Sequence, residues 1–380
     1  MRRLLAGIAE DIAGDARLVG HIFSVLGEEI AELVVDTSRW RQCLMAALVV
    51  PLAITFSLLL DLDAVWWSGI SAFMTVLTTG ADSLRQGLIR IAATTVGVVG
   101  AVIVARWLPY NHLALTLFLA LTAFLGTVGR AVSPHGTAWL LATVTANMVL
   151  LAGLNDPLAV PTIAFDRWSE VLVGVVASAL VTNLIAPGGS IPPTPPPRGW
   201  GRLFDEDWPV ALQGIRAAVA VVILLFVWLW LDLQDFQQMA ITVAIVMAAP
   251  GPGDVGARSR DAVSERAVHR FVGCLVGGLA ALGCLALSIT DFLPWLLVIA
   301  AAMWICMHVR SSRRGVSYVG IQAAVAFIVT MVQGRGPPES LLPGLERFAG
   351  ITGGLLVLMV VSLALWPHLD DRHGQTEPAG

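Results

Sequence analysis

Two arginines occupy matching positions in the two halves of the sequence, each at the predicted start of a long apolar segment. Arg90 is followed by Gly97, and Arg270 is followed by Gly277 at the same spacing. Glycines at such positions let helices pack closely. A guanidinium at the mouth of a pore attracts anions, whereas contact with lipid phosphates is the alternative role for an arginine at a helix end. The two arginines are therefore candidates for anion binding.

Hydroxyl side chains mark two short apolar segments, the second (65–79) and the eighth (236–250) along the chain. The second carries Ser71 and Thr75, and the eighth carries Thr242. Short or interrupted segments at equivalent positions of two halves are typical of a transporter's binding site. A carboxylate that leaves water needs hydrogen-bond donors, which these hydroxyls could supply. The alternative is that both segments are tilted helices whose small residues serve packing alone.

Aromatic side chains and a second pair of arginines extend the candidate site. Trp66 and Trp67 open the second segment, and Phe236 opens the eighth, so an aromatic substrate could stack on them near the outer end. Arg41 and Arg216 also match between the halves, and Arg216 lies deeper, inside an apolar segment. We therefore include all five among the candidate substrate-binding residues.

Carboxylates within or beside the apolar segments are candidates for proton coupling. Glu170 lies just inside the sixth apolar segment, and Asp82 lies in the loop after the second. Acids inside the membrane are typical of proton relays. Two acid–arginine pairs at equivalent positions are interpreted as ion pairs that fix the sixth helix of each half: Asp166 with Arg167, and Glu346 with Arg347.

Composition indicates a membrane protein without enzymatic chemistry. Only 13% of the 380 residues are charged and the mean hydropathy is +0.79, whereas a soluble protein carries about 25% charged residues. The 4 cysteines and 7 histidines lack metal-ligand spacing. No P-loop, dinucleotide fingerprint or nucleophile elbow occurs. We predict no enzyme activity, no cofactor, no metal and no nucleic-acid partner.

Twelve apolar segments approach the length of a membrane-spanning helix. The predicted spans are 43–60, 65–79, 88–107, 113–128, 137–154, 168–186, 210–231, 237–250, 267–288, 292–309, 316–333 and 348–366. We predict an all-α integral membrane protein of about twelve transmembrane helices. Its parts are an amphipathic N-terminal helix (1–40) on the membrane or against the protein, a six-helix unit (41–187), a proline-rich linker (188–208), a second six-helix unit (209–367) and a short tail (368–380).

The two six-helix units are predicted to be parallel repeats. Arg90 and Gly97 recur as Arg270 and Gly277 at one constant offset, and an even number of spans inserts both copies the same way up. With the N-terminus inside, the outer loops hold only these arginines: Arg106, Arg167, Arg335 and Arg347. The positive-inside rule then places both termini and the linker in the cytoplasm.

A substrate route is expected along the axis between the two units, because repeat interfaces are where transporters place their sites. Ser71 and Thr75 would then lie opposite Thr242. The competing arrangement has two independent pathways, one inside each unit.

Together these features resemble the fusaric acid resistance and aromatic acid exporter family of bacterial inner-membrane proteins, and more distantly the plant malate-channel family. The matching features are the two six-span units, the tryptophan pair that opens the second span, and the arginine–glycine pattern at Arg90 that returns at Arg270. The resemblance covers about residues 40–190 and 208–366. Many members place a large soluble domain after each unit, where this chain has a linker and a short tail.

The resemblance implies a secondary transporter that exports organic, especially aromatic, carboxylates across the bacterial inner membrane, driven by the proton gradient. Its implied partners are the organic anion and the lipid bilayer, and both a periplasmic adaptor subunit and an oligomer are compatible with it. Two alternatives are a passive organic-anion channel of the same architecture and a membrane scaffold without flux. Uphill flux that an uncoupler collapses distinguishes an exporter from a channel.

Overall fold

The computed structural model describes residues 2–33, 39–107, 111–153, 157–189, 208–231 and 257–334, with short stretches between 242 and 353. All regular secondary structure in these residues is helical. The helices are α1 (Arg2–Glu32), α2 (Trp40–Leu59), α3 (Val65–Thr75), α4 (Gly80–Ala105), α5 (His112–Val132), α6 (Gly136–Ala152), α7 (Val160–Ile185), α8 (Trp208–Leu231), α9 (Ala257–Leu285), α10 (Phe292–Arg310) and α11 (Ser317–Met331).

Seven of the described helices are long and apolar enough to cross a membrane, namely α2, α4, α5, α7, α8, α9 and α10. Helices α6 and α11 are apolar but shorter. The all-helical, multi-span fold predicted from the sequence is therefore confirmed. The predicted spans at 237–250 and 348–366, and the linker at 190–207, fall wholly or mostly outside the described residues, so the total of twelve spans stays a prediction.

Apolar side chains cover the outer faces of the long helices. On α4 and α5 they recur every three or four residues, which places them on one face of each helix. At least half of each of these side chains is exposed: Val96, Val99, Ile103, Leu113, Leu117 and Leu121. A soluble monomer rarely exposes apolar stripes of this size. These faces fit the hydrocarbon core of a bilayer.

Helix α3 is an interrupted helix rather than a full span over 65–79. It has 11 residues and is therefore about 16 Å long, roughly half the thickness of the hydrocarbon core. The chain becomes extended at Val76, and the Leu77 N–H then donates to Ser83 Oγ at 3.0 Å. Helix α3 therefore ends inside the protein, with its C-terminal carbonyls available to other groups.

Helices α4 and α9 begin earlier than the hydropathy pattern predicts. Helix α4 starts at Gly80 rather than at 88, and α9 starts at Ala257 rather than at 267. Thr79 caps α4, because its Oγ1 accepts a hydrogen bond from the Asp82 N–H at 3.2 Å. The first turns of both helices are polar, and a hydropathy pattern detects only the apolar part of a helix. Consequently Arg90 and Arg270 lie well inside their helices.

The two halves of the chain pack on each other through corresponding helices. Helix α2 of the first half packs on α10 of the second, and α8 of the second half packs on α5 of the first. Helix α3 also contacts α11. Within the halves, α4 packs on α6 and α7, and α9 packs on α11.

Two glycines at corresponding positions allow a close approach of helices within each half. A Cβ added at Gly97 would clash with the Ala142 carbonyl on α6, and one added at Gly277 would clash with the Ala323 backbone on α11. In contrast, nothing lies within 4 Å of a Cβ added at Gly100. The close packing predicted at Gly97 and Gly277 is therefore present in the structure, whereas Gly100, on the same helix as Gly97, has an open surrounding.

Helix α1 packs against the protein, which is one of the two arrangements predicted for the N-terminal helix. Its apolar residues Ile22, Val25 and Leu26 are buried against α9, α10 and α11. Beside them, the carboxylate of Glu29, 1% exposed, accepts hydrogen bonds from Arg39 Nη1 and Ser312 Oγ, each at 2.7 Å. A polar cluster therefore fixes the end of α1 to the end of α10.

Protonation or neutralisation of Glu29 should weaken the docking of α1. Burial disfavours the charged carboxylate, but hydrogen bonds from Ser312 and Arg39 and the charges of Arg39 and Arg314 outweigh burial and hold the pKa of Glu29 below its usual range. His308 Nε2 also lies 3.5 Å from this carboxylate. The stabilisation is thus complete above the ordinary pKa of 4.5 and is lost as the pH falls through the lower pKa of the docked state.

Amide hydrogen exchange of residues 18–30 measures this effect. We expect Glu29→Gln to reduce protection at pH 7 as acidification reduces it in the unchanged protein. Glu28→Gln is the matched control, because Glu28 is exposed and pairs only with the exposed Arg314 at 3.1 Å, an ion pair of small energetic value. Equal protection in the two variants would contradict the role of Glu29.

Candidate functional site

Arg90 is buried between α4 and the interrupted helix α3. Only 6% of the residue is exposed, and its Nε donates a hydrogen bond to Ser71 Oγ at 3.3 Å. The close approach of α7 to α3 at Gly174 keeps Ser71 fully enclosed, because a Cβ on Gly174 would clash with α3. Among the described residues, no carboxylate pairs with the Arg90 guanidinium.

Arg270 has a corresponding environment in the second half. Only 4% of the residue is exposed. Its Nη1 donates to Gln322 Oε1 on α11 at 2.7 Å, and its Nη2 donates to Thr242 Oγ1 at 3.1 Å. The Arg270 Nε is buried and has no hydrogen-bond partner. Both described hydrogen-bond partners of Arg270 are neutral.

The two sites share one chemical arrangement. Arg90 on α4 donates a hydrogen bond to the Ser71 hydroxyl and Arg270 on α9 donates one to the Thr242 hydroxyl, and no carboxylate among the described residues pairs with either guanidinium. A buried cation is costly unless it is paired or kept for a ligand. Contact with lipid headgroups requires an exposed guanidinium, which neither Arg90 nor Arg270 presents. The arrangement can therefore stabilise an anion that leaves water.

The tryptophan pair lies at the opposite end of α3 from its broken C-terminus. The ring centroids of Trp66 and Trp67 lie 4.7 Å apart and the ring planes are tilted by 33°. Arg167 Cζ lies 5.6 Å from the Trp66 centroid and 5.0 Å from the Trp67 centroid. Trp67 Nε1 and Arg167 Nε are buried and lack hydrogen-bond partners. Such a group of aromatic faces and free donors can contact an aromatic carboxylate.

Both candidate coupling acids are engaged in polar contacts. Glu170 is fully buried, binds Arg167 Nη1 at 3.0 Å and accepts the Ala64 N–H at 2.8 Å. Asp82 accepts a hydrogen bond from Thr79 Oγ1 at 2.7 Å, as a residue in the first turn of a helix commonly does. Glu170 is therefore the better placed of the two for a proton-linked step.

Arg167 forms an ion pair with Glu170 at 3.0 Å, and the predicted pairing of Arg167 with its sequence neighbour Asp166 stays a prediction. Neighbouring residues point to different sides of a helix, whereas residues three apart lie on one face. The equivalent predicted pair, Glu346 and Arg347, lies outside the described residues, as does Phe236.

The remaining predicted binding residues are dispersed. Arg41 is exposed near the start of α2, and Arg216 is half-buried on α8. Thr75 is buried, but its hydroxyl donates to the Ser71 and Ala72 carbonyls of its own helix at 2.8 Å and 3.0 Å. No group of residues suited to a metal ion occurs in the described ranges.

Two arginines that the sequence reasoning did not select make reciprocal contacts between the halves. Arg310, at the end of α10, donates to the Phe73 and Met74 carbonyls at the end of α3, at 2.5 Å and 3.2 Å. Arg130, at the end of α5, donates through Nε to the Ala248 carbonyl at 2.7 Å. The offset between Arg130 and Arg310 equals that between Arg90 and Arg270, and this signal was present in the sequence.

Comparison with protein families gives a match on each half of the chain. The model of the fusaric acid resistance protein family matches residues 39–194, and that of the fusaric acid resistance protein-like family matches residues 219–361. The chain belongs to the fusaric acid resistance family. The resemblance predicted from the sequence is therefore confirmed. Searches of curated proteins and of solved structures returned no match.

Membership of the fusaric acid resistance family, together with the long apolar helices, identifies a multi-pass membrane protein with a transport or resistance function. Each matched region contains one of the two buried arginines and its hydroxyl partner. Arg90 and Ser71 lie in the first matched region, and Arg270 and Thr242 lie in the second.

Proposed function

We propose that this protein is a secondary transporter that exports organic, especially aromatic, carboxylates across the bacterial inner membrane, driven by the proton gradient. The observation that carries the proposal is the pair of buried guanidiniums, Arg90 and Arg270, whose described partners are neutral. An unpaired buried cation favours an anionic ligand, and the hydroxyls and amide beside it replace part of the hydration of a carboxylate.

The proposal includes two parallel six-helix units around an approximate two-fold axis. Its support is that the contacts between the halves are reciprocal. The packing of α2 on α10 corresponds to the packing of α8 on α5. The hydrogen bond from Arg310 to the end of α3 corresponds to the hydrogen bond from Arg130 to the Ala248 carbonyl. A two-fold relation makes every contact between units occur twice with the partners exchanged. The substrate route is proposed along this axis, with α3 and the segment around Thr242 beside it.

Aromatic preference and proton coupling are assigned to the group around Arg167. The neighbouring rings of Trp66 and Trp67 offer aromatic surface to an aromatic body. Glu170 neutralises Arg167 in an ion pair at 3.0 Å, so the protonation state of Glu170 would govern whether Arg167 is available to a substrate carboxylate. Proton and anion binding would then be linked at one site.

Reconstituted protein tests the function directly. Proteoliposomes with an imposed pH gradient should accumulate radiolabelled benzoate above its equilibrium distribution, and an uncoupler should collapse this accumulation. Voltage-driven current with no uphill accumulation would replace the transporter by an anion channel. Absence of both in correctly inserted protein would leave only the scaffold function.

The topology of the proposal makes a separate prediction. Both termini and the linker are expected in the cytoplasm, because few arginines fall on the predicted outer loops. Fusions after Pro196 and after Gly380 should be active with a reporter that works only in the cytoplasm and silent with one that works only in the periplasm. A periplasmic signal at either position would refute this orientation.

A further inference from the structure

A cavity of about 330 Å³ lies beneath the broken end of α3. The start of α2, the end of α3, the first turns of α4 and the end of α10 surround it, at the end of the bundle where α1 packs. Its polar wall includes Gln42, Gln86, Arg85 and Arg310. This volume falls within the range of small-molecule sites, about 300–1,000 Å³.

Part of this cavity is apolar. Val76, Leu77 and Met307 contribute apolar surface to its lining, beside the amides and guanidiniums. Asp82 is the carboxylate on the lining, and Thr79 already holds it in the cap of α4 at 2.7 Å. A lining that combines apolar side chains with two arginines and two amides suits an anion with an apolar body, because the body is removed from water while the charge is bonded.

Arg310 connects the cavity to the backbone of α3. Its guanidinium bonds the Phe73 and Met74 carbonyls, and its Cζ lies 5.2 Å from the centre of the Phe73 ring. The last carbonyls of a helix have no partner within the helix, so Arg310 satisfies two of them and favourably places a positive charge at the negative end of α3. An anion in the cavity would compete with these carbonyls for the same guanidinium.

We propose that this cavity binds a small carboxylate with an apolar body, and that the bound carboxylate takes hydrogen bonds of Arg310 away from the end of α3. The inference deepens the proposed function, on which it rests, by adding an access site distinct from Arg90 and Arg270. Ser71, the partner of Arg90, lies on the same short helix that Arg310 holds. Release of the α3 end therefore transmits occupancy of the cavity to the buried arginine.

Equilibrium binding to the full-length protein in nanodiscs tests this site, with radiolabelled benzoate as the probe. All variants carry Arg90→Gln, Arg167→Gln and Arg270→Gln, so that binding at the three arginines of the proposed substrate sites does not contribute. We expect saturable benzoate binding to persist in this background. Loss of the charged donor in Arg310→Gln should weaken it about tenfold, and Thr78→Trp, at the exposed rim, should abolish it by filling the cavity.

Arg130→Gln is the matched control, because Arg130 makes the corresponding contact on the other half and does not line this cavity. It should leave benzoate binding unchanged. Binding that is absent from the background protein, or that survives Thr78→Trp, overturns the proposal even if Arg310→Gln proves unstable. Failure of uphill benzoate transport in the unmodified protein, with cavity binding intact, would instead reject the proposed function and keep the site.

Discussion

Replacing Arg90 and Arg270 together by glutamine should abolish organic-anion transport. Each guanidinium is buried and bonds neutral groups, so a substrate carboxylate would be its counter-charge. A hydrogen bond to a charged group contributes about 1.5–3 kcal/mol, which corresponds to roughly ten- to a hundredfold in binding. Each single substitution should therefore reduce benzoate transport by about that factor, and the double substitution should reduce it to background.

The measurement is the initial rate of benzoate flux in proteoliposomes containing equal amounts of folded protein. Arg313→Gln removes an exposed arginine beyond the end of α10 and serves as the matched control. It should transport at the unmodified rate. Arg90→Lys and Arg270→Lys separate charge from geometry, because lysine retains the charge without the fork of donors. Undiminished flux in the double glutamine variant would show that the arginines serve the fold rather than the substrate.

Leucine at Gly97 or Gly277 should prevent the native packing of its half. A Cβ at either position would collide with backbone atoms of the helix opposite, at Ala142 or Ala323. Side chains can move aside, whereas backbone atoms can do so only if the helices separate. Overpacking a core commonly costs about 1–3 kcal/mol, and forcing two helices apart adds the loss of their other contacts. We therefore expect each leucine substitution to lower the free energy of unfolding by at least about 3 kcal/mol.

Thermal unfolding of the purified protein in one detergent measures this effect, together with the amount recovered from membranes. Gly100→Leu is the control, because it changes the same helix where nothing lies within 4 Å. It should leave the unfolding temperature nearly unchanged. Alanine at Gly277 provides the more stringent test, since it adds only the Cβ. An unfolding temperature equal to that of the unmodified protein would show that α9 and α11 do not pack at this distance.

The sequence predicts the helical membrane fold from its apolar segments. It selects Arg90 and Arg270 because they recur at matching positions of the two halves. It does not predict the partners of these arginines. Gln322 reaches Arg270 from α11, and this contact depends on how two helices are rotated about their axes. Hydropathy does not encode that rotation. The burial of both guanidiniums, which separates anion binding from headgroup contact, follows from the same tertiary packing.

Other differences between the sequence-based predictions and the structure have identifiable physical causes. The early start of α4 was signalled by Thr79 followed by Asp82 three residues later, a capping pattern that a hydropathy average does not register. The amphipathic pattern of α1 is identical for a helix on lipid and for a helix on protein. Only the position of Ser312 and its neighbours beside Glu29 decides between the two.

The docking of α1 has a consequence for the order in which the chain matures. The ribosome makes α1 before the other described helices, yet its apolar face contacts α9, α10 and α11, which are made after all the others. At about 5–20 residues per second, the roughly 240 residues between Leu26 and the contacts on α9 take on the order of tens of seconds to synthesise. During that interval Ile22, Val25 and Leu26 have no native partner, so the nascent segment would depend on a chaperone or on the lipid surface. A ribosome stalled before α9 would therefore leave an exposed apolar helix by which the cell can recognise the unfinished protein.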